Sequence, residues 1–270
     1  MSNIVISSAI GMPSHEVILF LSSLRKYYED EIFFFVNKKD FELKKILKKY
    51  DCSYREVSTH KHDIQVKRYS LVLDFLMERK DIKKILFCDS RDIYFQSNPF
   101  DFPYEGDINF FSEDHSIENC NINSNWIQKT FGHENFEKMK KNSIICSGTV
   151  IGKKEAFIEY TNQMKMMSKK FPYKKRLKFF LTFRRDKEGR GCDQSYAAYL
   201  VYNNILSNLK IYSNKLGPFA TVYHLTNLKF NEDNVLLNQN NKPYILVHQY
   251  DKKWNIFKEK VDFLKIKLKI

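Results

Sequence analysis

Between residues 3 and 89, short apolar runs alternate with stretches of helical spacing, and few folds accommodate that order. Residues 3–8 (NIVISS) form a β-rich run almost at the start of the chain. Residues 31–36 (EIFFFV) are apolar without interruption and are bounded by polar residues, as in a strand buried on both faces. Residues 54–57 and 84–88 (KILFC) complete a set of four predicted strands. Between them, residues 15–28, 41–49 and 65–78 repeat apolar side chains at amphipathic-helix spacing. Strands alternating with helices predict a mostly parallel α/β sheet flanked by helices and joined by right-handed crossovers. The second half is less regular. It predicts strands at 107–112, 143–151, 209–213, 221–224 and 243–247, and helices at 153–170 and 193–203. Without a linker or internal repeat, residues 1–257 are expected to form one domain. A basic tail follows at 258–270, alternating Lys with apolar residues.

A chain of 270 residues with 43% hydrophobic and 15% aromatic residues is globular in composition. Lys and Arg number 45 against 32 Asp and Glu, a net charge of +13. Such an excess suits nucleic acid, an acidic membrane face or a phosphate-bearing substrate, and it equally suits a merely solubilising surface. The five Cys are odd in number and show no paired metal-binding spacing, so free thiols in a reducing compartment are expected. The N-terminal run MSNIVISSAIGMPSHEV lacks the pattern of a signal peptide, and no stretch approaches the ~18 apolar residues of a membrane span. A cytoplasmic protein is expected. Its tail either docks on the core or lies on the anionic inner face of a membrane.

In an open α/β sheet, ligands bind beyond the carboxyl ends of the strands. Asp89 stands there, directly after KILFC, and Asp92 follows three residues later. Two carboxylates so close repel unless neutralised, and a hard divalent cation does this well. The competing reading is a surface turn in which Arg91 pairs with one Asp. None of the eight Gly forms a GxGxxG or P-loop pattern, so glycine amides do not cradle a phosphate here. A cation on Asp89 and Asp92 would neutralise phosphate instead, helped by Lys67 and Arg68 near the start of the helix before KILFC. His248 follows the apolar run PYILV and is a third candidate ligand; an imidazole would favour Mn²⁺ over Mg²⁺. Residues 171–190 are dense in Lys and Arg and suggest a lid in which Arg184 or Arg185 meets phosphate. Ser147 and Gly148 suggest a tight strand turn, where Gly148 would also allow close backbone approach. Asp193 follows Gly191 at a predicted helix start and is either a cap or a reactive carboxylate. Glu113 and Asp114 are candidates for the base that meets an acceptor, or are ordinary solvated acids.

The run ILFCDSRDIYFQSNPF resembles the acidic metal motif of GT-A glycosyltransferases. It is more narrowly similar to a bacterial surface-polysaccharide group (capsule and lipooligosaccharide transferases) with the pattern D-x-R-D-x-x-F-Q-x-x-P-F. Three further segments agree in order: IICSGTVIG at 144–152, GCDQSYAAYL at 191–200 and VHQYD at 247–251. The second of these is similar to the Asp-Gln helix start of the retaining, glycogenin-like family. The resemblance implies a Rossmann-like GT-A domain whose second half forms a smaller acceptor-side portion. It further implies that Asp89, Asp92 and His248 hold Mn²⁺ or Mg²⁺, that Ser147 and Gly148 line the donor cleft, and that Asp193 and Gln194 are catalytic. The implied reaction transfers a sugar from a nucleoside-diphosphate sugar to a glycan or lipid-linked glycan, with retention. The D-x-x-D spacing departs from the usual D-x-D and leaves open which Asp ligates directly. The alternatives are a nucleotidyl- or phosphotransferase, which shares the need for metal and carboxylates, and a basic nucleic-acid-binding protein. No nucleic-acid-binding motif is present, so a nucleic-acid partner is not expected.

Overall fold

The computed structural model describes residues 1–61, 63–172 and 191–270. Arg184 and Arg185, with the expected lid, lie outside the described residues. The first half follows the predicted alternation: β1 (Ser2–Ala9), α1 (Ile18–Arg25), β2 (Glu31–Asn37), α2 (Phe41–Lys49), β3 (Ser53–Val57), α3 (Ile64–Glu78) and β4 (Ile82–Cys88). After β5 (Ile93–Phe95), the chain adds β6 (Ile108–Ser116), α4 (Asn121–Met139), β7 (Ser143–Lys153), α5 (Lys154–Lys170), α6 (Cys192–Tyr202) and β8 (Leu209–Tyr212). The central sheet has seven strands in the order β3-β2-β1-β4-β7-β6-β8. Pairing is parallel throughout except on the two sides of β7, which runs against its neighbours β4 and β6. The sheet is therefore mostly parallel and mixed α/β, as the alternation predicts.

Period-2 alternation along the strands sorts side chains onto two covered faces. On β2, Phe33 and Phe35 point into one cluster with Tyr69 and Phe75 of α3. Ile32, Phe34 and Val36 point into the other, with Phe20 and Leu21 of α1. Each fully buried Phe of this kind contributes about 1.5–3 kcal/mol, so slipping β2 by one residue would exchange both faces at once.

The strand order reverses beside β1. The chain goes from β1 to β2 and β3 on one side, then returns to place β4 on the other. At such a switch point the two loops leaving the sheet diverge and open a crevice. Asp89 leaves β4 there. Ser90 Oγ donates to the Ser8 carbonyl at 3.4 Å, tying the turn to the end of β1.

A second sheet closes over this edge. Its strands are β5, β12 (Leu246–His248) and β9 (Phe219–Thr221), with β12 in the middle. A two-stranded ribbon, β10 (Lys229–Phe230) and β11 (Leu236–Leu237), forms a separate small sheet that buries Leu236 against the same region. The last helix, α7 (Trp254–Leu268), begins four residues before the expected tail boundary at 258. It seats Phe257 and Val261 in a third cluster with Tyr94, Val222 and Val247.

Several local expectations change. The helix expected over 15–28 is a 3₁₀ turn, Ser14–Val17, followed by α1. The strand expected at 221–224 is β9 followed by a 3₁₀ turn, Val222–His224. Helix α4 had no counterpart in the sequence reading, because its polar sequence is broken at Gly132, whose φ is 82°. Ser147 and Gly148 lie inside β7 and form no turn. The pairing of β7 with β6 shifts register between Phe110 and Ser112, an irregularity of the β-bulge type that re-aims side chains without ending the strand.

Candidate metal centre

Asp89, Asp92 and His248 come together at the switch point, and each arrives by a different route. The Asp89 amide donates to the Gly148 carbonyl at 2.9 Å, fixing the end of β4 against β7. Asp92 precedes β5. His248 ends β12, whose antiparallel register sets His248 opposite Ile93. The Gln249 amide then donates to the Asp92 carbonyl at 2.8 Å, locking that register. His248 Nε2 lies 3.7 Å from Asp89 Oδ2 and 3.5 Å from Asp92 Oδ1. One ligand atom from each of the three falls within 4.8 Å of the others. At metal–ligand bonds of about 2.1 Å, octahedral neighbours are about 3.0 Å apart and opposite ligands about 4.2 Å apart. The two measured separations fall between these limits.

The backbone leaves this spot clear. A Cβ on Gly148 would sit 2.6 Å from both Asp89 Oδ2 and His248 Cε1, so no side chain fits at that position. Two carboxylates and one imidazole around such a space make a donor set that fits a divalent cation of the Mg²⁺/Mn²⁺ kind. The Asp89 side chain is 39% exposed, against 10% for Asp92 and 3% for His248. Asp89 therefore faces the cleft, and the other two form its floor.

Electrostatics bind the cluster to a second carboxylate. Arg68 is buried on α3, with its guanidinium 2.6 Å from Asp89 Oδ1 and 2.7 Å from Asp193 Oδ2. Burial works against ionisation of Asp89, but Arg68 and His248 outweigh it and hold the carboxyl well below its usual range. Burial raises the carboxyl of Asp193, Arg68 opposes this, and the charge on Asp89 adds to the rise. Burial also disfavours protonated His248, yet Cys146, Asp92 and Asp89 together raise its pKa well above the ordinary imidazole value. Without a cation, a proton on His248 thus supplies part of the neutralising charge, and a cation must displace it.

The other expected residues are placed as follows. The Ser147 hydroxyl lies 3.4 Å from Asp193 Oδ2, and the Ser147 carbonyl accepts from Arg68 at 3.4 Å. Gly191 has left-handed backbone geometry (φ 90°) and stands at the N-cap of α6. Asp193 sits in the first turn with its side chain directed to Arg68, so it does not cap the helix. Gln194 donates to Asn123 Oδ1 of α4 at 2.7 Å. Lys67 stands on the exposed side of α3, 3.9 Å from Asp63. Arg91, which might have neutralised the turn alone, divides itself between Asp92 at 3.4 Å and Asp251 at 3.1 Å.

Two further groups lie close by. Glu113 on β6 is 3% exposed, and no hydrogen bond reaches its carboxyl among the described residues. His224 Nε2 is 3.6 Å from Glu113 Oε2, and the His115 ring stacks on His224 with centroids 4.2 Å apart. Burial raises the Glu113 carboxyl to about 7, while nearby His248 pulls it down. The other group is the Cys146 thiol, 3.2 Å from His248 Nδ1. The sequence reading passed over Cys146 and His224. A usable signal for Cys146 is its position two residues from Gly148 on one strand, which places both on the same face.

No protein-family model and no curated protein matches the chain. Among solved structures, a glycosyltransferase involved in the glycosylation of the major capsid of PBCV-1 aligns with a TM-score of 0.49 and 13% sequence identity. The alignment covers 96% of this chain and 98% of that one.

Proposed function

We propose that the chain is a metal-dependent glycosyltransferase that moves a sugar from a nucleoside-diphosphate sugar to a glycan or lipid-linked glycan in bacterial surface-polysaccharide synthesis. One observation carries the reading. Asp89, Asp92 and His248 converge at the switch point of a mostly parallel sheet, and Arg68 joins them to buried Asp193. Asp89, Asp92 and His248 would hold Mn²⁺, which supplies Lewis-acid stabilisation of the departing diphosphate. The imidazole in the donor set favours Mn²⁺ over Mg²⁺.

The chain's own residues provide the rest. Arg68 holds Asp89 and Asp193 in fixed relation, so a donor gripped at the diphosphate presents its sugar to Asp193. Gly148 lets the donor approach β7 without a side chain between them. Ser147 supports Asp193 from the same strand. Glu113 lies on the acceptor side, where its buried carboxyl, beside His224 but without a hydrogen bond among the described residues, can take the hydrogen bond of an incoming hydroxyl. Retention is the stereochemical reading, resting on the Asp193-Gln194 resemblance; Gln194 acts from beside Asp193, braced by Asn123. Arg184 or Arg185 is retained as a phosphate-contacting candidate.

Among the described residues, no helix is long and apolar enough to cross a membrane. The peripheral membrane contact is assigned to α7 on the cytoplasmic side. Opposite its docked face, Ile256, Phe263 and Ile266 are exposed, with Lys258, Lys265 and Lys267 on the same helix. An exposed apolar stripe with basic residues suits an anionic bilayer surface.

The test is calorimetry of UDP and GDP with and without Mn²⁺, paired with a panel of nucleotide sugars assayed for nucleoside-diphosphate release. Mn²⁺-dependent binding and release from at least one donor are expected. Diphosphate binding indifferent to EDTA, or release of pyrophosphate in place of a nucleoside diphosphate, would overturn the reading.

A further inference from the structure

We infer that Cys146 is the positioning residue that sets His248 in its ligating form, an inference that rests on the metal-centre reading above. The two ring nitrogens of His248 face different partners. Nε2 faces the carboxylates, at 3.7 Å from Asp89 and 3.5 Å from Asp92. To bind a cation, Nε2 must offer a lone pair, so the ring proton of neutral His248 must sit on Nδ1. Nδ1 is buried, and a buried N–H without an acceptor is costly. The Sγ of Cys146, 3.2 Å away, is the hydrogen-bond partner of Nδ1 among the described residues. In the cation-bound form, Nδ1–H donates to Sγ. In the cation-free form a proton on Nε2 lies between the carboxylates, and Sγ remains against Nδ1. A thiol serves both states because it donates and accepts. Valine of similar size serves neither.

The backbone supports the same assignment. Cys146 and Gly148 are two residues apart on β7, within the stretch where the β6 pairing shifts register. Gly148 borders the Cε1 edge of the imidazole and Cys146 borders Nδ1. One short segment therefore positions the ring on two adjacent sides. Cys146 is 1% exposed, so it acts through His248 and not on a ligand of its own.

A packing role and a positioning role predict opposite orders among variants. Cys146→Ser keeps a group that both donates and accepts. Cys146→Val keeps apolar bulk but neither function. Loss of an outer partner of a metal-bound His typically weakens metal affinity about 10–100-fold. Mn²⁺ binding to the intact protein is read by electron paramagnetic resonance, without any substrate. Affinity should fall about 10–100-fold in Cys146→Val and stay within about fivefold in Cys146→Ser. In the Mg²⁺-loaded protein, ¹⁵N shifts of the His248 ring should report a proton on Nδ1 in wild type and in Cys146→Ser. Equal Mn²⁺ affinity in wild type and Cys146→Val, or tighter binding by Val than by Ser, overturns the positioning role. Failure of the wild-type protein to bind Mn²⁺ at all overturns the metal-centre reading itself, which separates the two outcomes.

Discussion

Replacing Glu113 by Gln should make the protein more stable at pH 8 and leave it nearly unchanged at pH 4. Glu113 is buried without a hydrogen bond to its carboxyl among the described residues, and burial raises its pKa from 4.5 to about 7. A carboxyl whose folded pKa lies above its unfolded value favours the neutral form in the fold. Below pH 4.5 both states are protonated and no penalty arises. Between 4.5 and about 7 the unfolded chain ionises first, so stability falls as pH rises, and above about 7 the full penalty remains. At about 1.4 kcal/mol per unit, a rise of this size costs about 3 kcal/mol. Gln at this position cannot ionise, so the stability difference between the variant and wild type should grow by about 3 kcal/mol from pH 4 to pH 8. Urea denaturation of both proteins in EDTA across that range reads it. His224 and His248 titrate in both proteins, so the difference isolates Glu113 and its coupling to His224. A difference that does not change with pH would refute the claim that burial raises the Glu113 carboxyl. Conversely, a stability gain with loss of sugar transfer would mean that the fold keeps a costly carboxyl for use.

Four other outcomes follow from the same geometry. Asp193→Asn should cut turnover at least ~100-fold and lower stability by about 2 kcal/mol, because buried Arg68 loses a charged partner; near-normal turnover would return Asp193 to a structural part. His248→Ala should weaken Mn²⁺-dependent nucleoside-diphosphate binding in calorimetry while the metal-free fold survives. In wild type, that binding should strengthen as pH rises, since the cation displaces the proton on His248 that the neighbouring carboxylates favour; pH-independent affinity would contradict this. Replacing Ile256, Phe263 and Ile266 with Ser should reduce co-sedimentation with anionic liposomes and leave melting little changed, since all three are exposed; equal pelleting with neutral lipid would remove the membrane role.

The alternating runs up to Cys88 determined the parallel half of the sheet, because fully buried strands and amphipathic helices leave their periods in the sequence. The position of Asp89 at a strand end, with Asp92 three residues on, was equally readable, since both belong to one continuous segment. Arg68 could be placed on α3, but not its double grip on Asp89 and Asp193, because helical spacing tells which face is buried and not what it meets. Strands of three residues, such as β5, β9 and β12, are too short to carry a period. Their pairing is what delivers His248 to Asp92. Helix α4 escaped the pattern because Gly132 interrupts it and much of its length is polar. The irregular pairing of β7 left no mark in IICSGTVIG, yet it lies where Cys146 and Gly148 border the imidazole. The sequence by itself determined the sheet and the first two carboxylates, as local periodicity records burial. Only the tertiary structure decided that His248, already a candidate in the sequence, meets those carboxylates beside Cys146 and that Arg68 pairs with buried Asp193, because each depends on register between segments far apart in the chain.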